Sequence, residues 1–198
     1  SICTSSGDMS YATSTTRVIF GDINNASGKD APYSDYTNIS RDVSVNDSYD
    51  LIVQVNTDGN YTVNTIVWID WNQDCDFDDP HEQYDLGFAT NTSDGATSES
   101  PLSITVPGDA VIGSATMRVS TRYSLDPTSC MNNVDGEVED YTINVIDDTV
   151  SIDDFIFEGF NLYPNPSNGS FNVEFDIVSS DFVPVSYTHL TLPTSHNV

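Results

Sequence analysis

Short runs in which apolar and polar residues alternate constrain the fold of this chain more than any other feature. Such runs occupy residues 51–55, 102–106, 115–119 and 141–145. A period of two places every second side chain on one face, which is typical of half-buried β-strands. We find no apolar repeat at three-four spacing that is long enough to predict a helix.

Residues 65–69 are apolar on both faces, which predicts a central strand covered on both sides. Turn-forming residues separate the strand-like runs. They occur at 58–60, 94–95, 107–109 and 135–136. Several short strands divided by such turns predict an all-β fold, specifically a β-sandwich of the jelly-roll or immunoglobulin-like kind.

The charge balance excludes several classes of partner. The chain has 31 Asp and Glu against five Lys and Arg, a formal net charge of −26. Nucleic acids are held mainly by cations that neutralise phosphates, so we expect no nucleic-acid binding. No run of about 18 apolar residues occurs, so we expect no membrane span. The 37% hydrophobic content is enough for a buried core.

The composition changes after residue 146 and predicts a second unit. Residues 1–146 form the predicted sandwich domain, and 147–156 are an acidic linker. A strand end then runs into a Pro/Asn/Gly turn, and residues 170–177 alternate. About two strands are too few to close a core, so 157–184 are predicted to be an incomplete domain.

An acidic segment, residues 70–82, has the spacing of a calcium-binding loop. Asp70, Asn72, Asp74 and Asp76 occupy positions 1, 3, 5 and 7, where alternate side chains turn onto one cation. Phe77 is predicted to face away into the core. Carboxylates this close repel one another unless a cation offsets their charge. The segment therefore predicts a structural Ca²⁺ site.

Two departures from the loop pattern leave an alternative open, namely a solvated acidic hairpin without metal. Position 6, normally Gly, is Cys75, which costs about 1–2 kcal/mol in a left-handed conformation. Position 12, normally Glu, is His81, with Glu82 one residue later. We predict Glu82 as the fifth ligand, with Asp78 or Asp79 in reserve.

Charged residues near position 140 predict a structural cluster. Glu137, Glu139 and Asp140 precede a predicted core strand, while Arg118 and Arg122 lie on the polar face of another. We expect ion pairs between the two groups that fix the last strand of the domain. Exposed pairs contribute only about 0–1 kcal/mol each, and a ligand site is the alternative.

The segments 136–142, 67–74 and 117–120 together resemble the GEVED domain, a β-sandwich module of secreted proteins from Bacteroidetes-type bacteria. The resemblance covers about residues 1–146. It implies a disulfide between Cys3 and Cys130, which leaves Cys75 as an odd thiol. The family also tends to place its loop Glu one residue late, which suits Glu82.

The segment 162–166, followed by Asn168-Gly169 and the 171–175 run, resembles the start of a C-terminal sorting domain of the type IX secretion system. That resemblance implies export across the outer membrane by this machinery. The later strands of the family are absent. Residues 185–194 resemble a translated sequencing adapter, so we predict that 185–198 are a non-native tail.

Catalysis finds little support, since His81 is the sole histidine before the suspect tail and no nucleophile motif surrounds it. We therefore predict a non-catalytic, calcium-stabilised module at the outer-membrane surface or outside the cell. The alternative is a carbohydrate-binding or adhesive module accessory to an upstream enzyme domain. Aromatic residues that could serve a glycan or other surface ligand are Tyr33, Tyr36, Tyr61, Trp68, Trp71, Tyr84 and Tyr123.

Overall fold

The computed structural model describes residues 1–147 and two further strands at 157–163 and 172–177. Most of the predicted linker, the predicted Pro/Asn/Gly turn after residue 163 and the predicted tail at 185–198 lie outside the described residues. The chain divides into two compact units, Ser1–Asp148 and Thr149–Val198. No helix in the described part is long and apolar enough to cross a membrane.

The regular elements of the described residues are all strands, which confirms the predicted all-β class. In chain order they are β1 (Ser14–Phe20), β2 (Ile23–Ala26), β3 (Ser34–Ser44), β4 (Ser48–Asn56), β5 (Thr62–Ile69), β6 (Gln83–Thr90), β7 (Gly95–Ala96), β8 (Leu102–Thr105), β9 (Gly113–Tyr123), β10 (Gly136–Ile146), β11 (Phe157–Tyr163) and β12 (Asn172–Ile177).

The first unit contains two five-stranded sheets. One has the order β2-β1-β4-β7, with β8 also paired to β4, and its pairs are antiparallel. The other has the order β3-β10-β9-β5-β6, in which β3 runs parallel to β10 and the remaining pairs are antiparallel. The inward faces of both sheets form one apolar core, so the predicted sandwich is confirmed.

The alternating runs place their apolar side chains in this core. Val53 of β4, Val119 of β9 and Ile143 of β10 are each fully buried within it. Central strand β5 is buried on both faces, as its sequence predicts. Ile66 and Trp68 point away from the main core and form a smaller cluster with Phe77.

The N-terminal segment is tied to the end of the 123–136 connection. Cys3 and Cys130 form a disulfide with Cα atoms 5.7 Å apart, the pairing that the resemblance implied. The Ser6 N–H donates to the Met131 carbonyl at 2.7 Å, and Gly7 forms a parallel bridge with Val134. Ile2 packs against the cluster of Ile66, Trp68 and Phe77, so the first residues cover part of the outer face of the second sheet.

In the second unit, the structure describes one antiparallel strand pair. β11 pairs with β12, with Leu162 opposite Val173 and a register shift between Phe157 and Phe160. The predicted strand end and the predicted alternating strand of the sorting-domain resemblance fall on these two elements.

Candidate functional site

The acidic loop, residues 70–82, joins β5 to β6 and has fixed ends. The Ile69 N–H donates to the Glu82 carbonyl at 2.9 Å, which closes the base of the loop. The Asp70 N–H donates to the carbonyl of Thr116 on neighbouring β9 at 3.0 Å. The loop therefore starts and finishes on the rigid second sheet.

Side chains at alternate loop positions accept the backbone N–H two residues ahead. The acceptor–donor distances are 3.1 Å from Asn72 to Asp74, 3.2 Å from Asp74 to Asp76 and 2.9 Å from Asp76 to Asp78. Asn and Asp readily form such turns because their short side chains reach the local backbone. The chain curls as a result, and alternate side chains follow the period that the sequence predicted.

Asp70 lies beneath this curl and is 3% exposed. Its two carboxylate oxygens accept the N–H groups of Asp74 and Cys75, each at 3.2 Å. Cys75 has a φ of 75°, the left-handed conformation for which Gly is preferred at position 6. The backbone therefore turns where the calcium-loop pattern requires, without the usual glycine.

Three exposed carboxylates converge at the tip of the loop. Oxygen atoms of Asp74, Asp76 and Asp79 lie within 4.8 Å of one another. Asn72 donates its amide Nδ2 to Asp74 at 3.1 Å and to Asp79 at 2.8 Å. Of the residues predicted as ligands, the structure thus groups Asp74 and Asp76, and the reserve residue Asp79 joins them.

Glu82 completes the acidic set from the base of the loop. It is 1% exposed, its Oε2 accepts the Asp79 N–H at 3.4 Å, and its Oε1 has no hydrogen-bond partner among the described residues. Burial raises the pKa of Glu82 and of Asp70. A buried carboxylate oxygen without a partner is costly, and oxygen donors of this kind suit a hard cation such as Ca²⁺.

Phe77 anchors the middle of the loop on the second sheet. It is 5% exposed, and its ring centroid lies 6.4 Å from that of Trp68. The guanidinium carbon of Arg118 lies 5.4 Å from the centre of the same ring. Phe77 is buried as predicted, but in the outer cluster rather than between the sheets.

Arg118 connects this cluster to the disulfide and to the 136–140 motif. Its Nε and Nη2 donate to the two carboxylate oxygens of Asp140 at 2.8 and 2.7 Å. Its Nη1 donates to the carbonyls of Cys3 and Ser129, each at 2.9 Å. Tyr33 adds a hydroxyl hydrogen bond to Asp140 at 3.0 Å. This guanidinium is therefore satisfied in a buried setting.

Glu137 lies between the two sheets and is fully buried. Its Oε2 accepts the Thr15 N–H of β1 at 3.1 Å, and its Oε1 accepts the Ser34 hydroxyl at 3.3 Å. Burial raises the pKa of Glu137 to about 8, and the nearby Glu139 carboxylate acts in the same direction. A protonated Glu137 therefore links one sheet to the other at neutral pH.

Glu139 is the second fully buried carboxyl of the motif, and burial raises its pKa. The Tyr141 hydroxyl donates to its Oε2 at 2.8 Å and accepts a hydrogen bond from Asn25 at 2.9 Å. Gly136, which opens the motif, packs so closely that a Cβ there would lie 2.1 Å from the Thr121 carbonyl oxygen. The motif is thus built into the packing of β10.

The structure differs from the expected surface cluster of ion pairs. Among the described residues that were expected to pair, only Arg118 and Asp140 do so, and both are buried. Glu137 and Glu139 have uncharged partners, while Arg122 donates to the Asp126 carbonyl at 3.4 Å. The alternation along β10 places Glu137 and Glu139 on the inward face with Tyr141. Because both residues are charged, the sequence favoured a surface position for them instead.

The aromatic candidates divide by exposure. Tyr61 and Tyr123 are exposed, whereas Trp68 and Trp71 are buried. The remaining three, Tyr33, Tyr36 and Tyr84, are partly buried. The structure adds Phe88, which is 53% exposed and is not among the residues that the sequence singled out.

Two packed sheets, a disulfide-tied N-terminus and a charged motif held within the packing define this unit as a β-sandwich module. A comparison with protein-family models matches residues 64–144 to the GEVED domain. The matched stretch contains the acidic loop and the whole 136–140 motif. The GEVED domain is a non-enzymatic module. A search of curated proteins found no match to this chain.

Proposed function

We propose that this chain is a non-catalytic extracellular module whose sandwich is stabilised by Ca²⁺ in the acidic loop. The observation that carries the proposal is the convergence of Asp74, Asp76 and Asp79, whose carboxylate oxygens lie within 4.8 Å of one another. Ca²⁺ takes six to eight oxygen ligands. Glu82 and Asp70 supply buried carboxylates at the base of the same loop.

The acidic loop packs against the second sheet, so an ordered loop stabilises the fold. Phe77 covers Trp68 and the Arg118 guanidinium. Arg118 in turn holds the carbonyl of Cys3 beside the disulfide. Bound Ca²⁺ supplies positive charge to the carboxylates, and a loop held in its curled form keeps Phe77 on this cluster.

A structural role accounts for the charged residues that could otherwise suggest catalysis. Arg118 and Asp140 use their donors and acceptors on each other and on backbone groups. Glu137 and Glu139 are fully buried between the sheets with uncharged partners. Groups committed in this way are poorly placed to act on a substrate.

Three observations support a location outside the cell. A disulfide persists in oxidising compartments, and Cys3 and Cys130 form one here. The segment 162–166 resembles the start of a type IX sorting domain, and the chain carries an excess of acidic residues that favours solubility. We therefore place the module at the outer-membrane surface or outside the cell, with the type IX machinery as its partner during export.

Isothermal titration of the full oxidised chain with Ca²⁺ and separately with Mg²⁺ tests the cation assignment. We expect saturable Ca²⁺ binding that is at least tenfold weaker in Asp74→Asn/Asp76→Asn. Asp50→Asn is the matched control, since Asp50 is an exposed acidic residue outside the loop. Absence of Ca²⁺ binding, or equal binding by the loop variant, would overturn the assignment.

The genomic sequence of the locus tests the export assignment. We expect the gene to continue past residue 184 into the remaining strands of a sorting domain. A natural gene that runs through position 185 into the same final residues would contradict both the export assignment and the predicted non-native tail.

A further inference from the structure

A second candidate site lies at the far end of β5 from the acidic loop. Tyr61 precedes this strand and Asp70 follows it, so the two are separated by roughly 25–30 Å. A surface cavity of about 440 Å³ opens there, within the range of ligand pockets of about 300–1,000 Å³. Its lining includes Tyr61, Phe88 and Tyr123.

The three aromatic rings of this cavity are unusually exposed. The exposed fractions are 52% for Tyr61, 53% for Phe88 and 40% for Tyr123. The Tyr61 and Tyr123 rings are 5.4 Å apart at an interplanar angle of 83°, so they form two walls at a right angle. Clustered exposed apolar surface of this kind marks a binding site more often than scattered single residues do.

Amide side chains supply unused hydrogen-bonding capacity beside the rings. Asn60 and Asn64 line the cavity, and neither side chain has a hydrogen-bond partner within the described residues. Each amide offers two donors and one acceptor oxygen. The cavity lining contains no Asp, Glu, Lys or Arg, in a chain whose net charge is −26.

We propose that this cavity binds a neutral saccharide. The C–H face of a sugar ring packs on an aromatic face, whose negative quadrupole attracts it. Neighbouring hydroxyls both donate and accept, which matches the paired donors and acceptor of Asn60 and Asn64. The surrounding negative charge disfavours sulfated or uronic-acid glycans through like-charge repulsion. The site is independent of the acidic loop and of Ca²⁺.

A proline-rich peptide is the competing occupant, because such peptides also dock on aromatic-lined surfaces. The saccharide is favoured because the amides here offer acceptors as well as donors, and a peptide without N–H groups at proline uses mainly the donors. Binding of neutral polysaccharides and binding of a proline-rich peptide distinguish the two occupants.

Affinity electrophoresis of the full chain through gels that contain laminarin, xylan, galactomannan or hydroxyethyl cellulose tests the proposal. Titration calorimetry with the matching hexasaccharide then gives the affinity. We expect retardation by at least one of these neutral polysaccharides, with binding at least tenfold weaker in Tyr61→Ala and in Tyr123→Ala. Tyr11→Ala is the matched control, since Tyr11 is 46% exposed, lines a different cavity and should leave binding unchanged.

The melting temperatures of all variants show whether a loss of binding reflects unfolding. Asn64→Ala is a second binding-site variant, which removes one amide but keeps all three aromatic rings. Retardation by none of the four polysaccharides would overturn the proposal, as would retention that is equal in Tyr61→Ala and Tyr11→Ala. Binding of a proline-rich decapeptide without binding of any polysaccharide would assign the cavity to a peptide instead.

Discussion

Arg118 of β9 and Asp140 of β10 form a buried bidentate ion pair, with Nε–Oδ1 and Nη2–Oδ2 distances of 2.8 and 2.7 Å. The two residues are 3% and 4% exposed. Because Arg118 also contacts Cys3 and Phe77, the pair joins the last strand of the sandwich, the disulfide and the acidic loop.

Removal of one partner of this pair should be strongly destabilising. Arg118→Ala should lower the free energy of unfolding by about 3–5 kcal/mol, because Asp140 is left as a buried charge without its counterion. Arg122→Ala is the control, since Arg122 makes one long hydrogen bond to a backbone carbonyl. Urea unfolding of the oxidised chain measures both. Equal losses in the two variants would show that the pair has no special role.

Glu137 should make stability depend on pH. Its pKa is raised to about 8 by burial, whereas in the unfolded chain it lies near 4.5. Between these pH values Glu137 keeps a proton in the folded state that it releases in the unfolded state. Its contribution to the free energy of unfolding is therefore fully present below about pH 4.5 and is lost as pH rises through about 8. Glu139, whose pKa is also raised, adds to the same trend.

Glu137→Gln imitates the protonated side chain and should flatten this dependence. Its carbonyl oxygen can accept the Thr15 N–H, and its amide can donate to the Ser34 hydroxyl. The unfolding free energies of wild type and variant, measured in chelator from pH 5 to 9, should therefore differ in slope. Parallel curves would mean that Glu137 is ionised in the folded state.

The all-β fold was predictable because the alternation of apolar and polar residues is a local pattern. The burial of the charged residues at 136–140 was not predictable, because it depends on packing between distant parts of the chain. Val53 and Ile143 lie on the core faces that their spacing predicts. Glu137 follows the same parity, yet carboxylates are almost never fully buried without a partner, so composition argued for a surface position. Its partners Thr15 and Ser34 are more than a hundred residues away, and no local pattern reveals them.

The acidic loop was predictable in spacing but not in grouping. Asp74 and Asp76 occupy the positions that the pattern assigns, and φ is positive at Cys75, where the pattern calls for glycine. Asp79 converges with them because Asn72 donates to its carboxylate across the loop. Such a contact depends on how the loop closes, which residue spacing does not determine.

The disulfide should stabilise the fold by about 4–5 kcal/mol on the chain-entropy model, since it closes a loop across a sequence separation of 127 residues. Cys3→Ser/Cys130→Ser should lower the urea midpoint accordingly. Cys75→Ser is the control, because Cys75 is a free and exposed thiol. A larger loss in Cys75→Ser than in the double variant would contradict the assignment.

Cys75→Gly should stabilise the folded chain by about 0.5–1 kcal/mol. Cys75 has a φ of 75°, and a side chain in this conformation costs more than the extra backbone entropy of glycine. Cys75→Ala removes the thiol but keeps the Cβ, so it should show no such gain. Urea unfolding in excess calcium compares the three proteins, and a gain of equal size in Cys75→Ala would assign the effect to the thiol.

A thermal melt of the full oxidised chain in Ca²⁺ and in excess chelator at fixed ionic strength tests whether bound Ca²⁺ stabilises the sandwich. A cation present at a hundredfold excess over its dissociation constant stabilises the folded state by about 2.7 kcal/mol, which raises the melting temperature by several degrees. We predict this rise for wild type and for Asp50→Ala, and its loss in Asp70→Ala and Asp74→Ala. Superimposable wild-type melts would show that the loop is a solvated acidic hairpin.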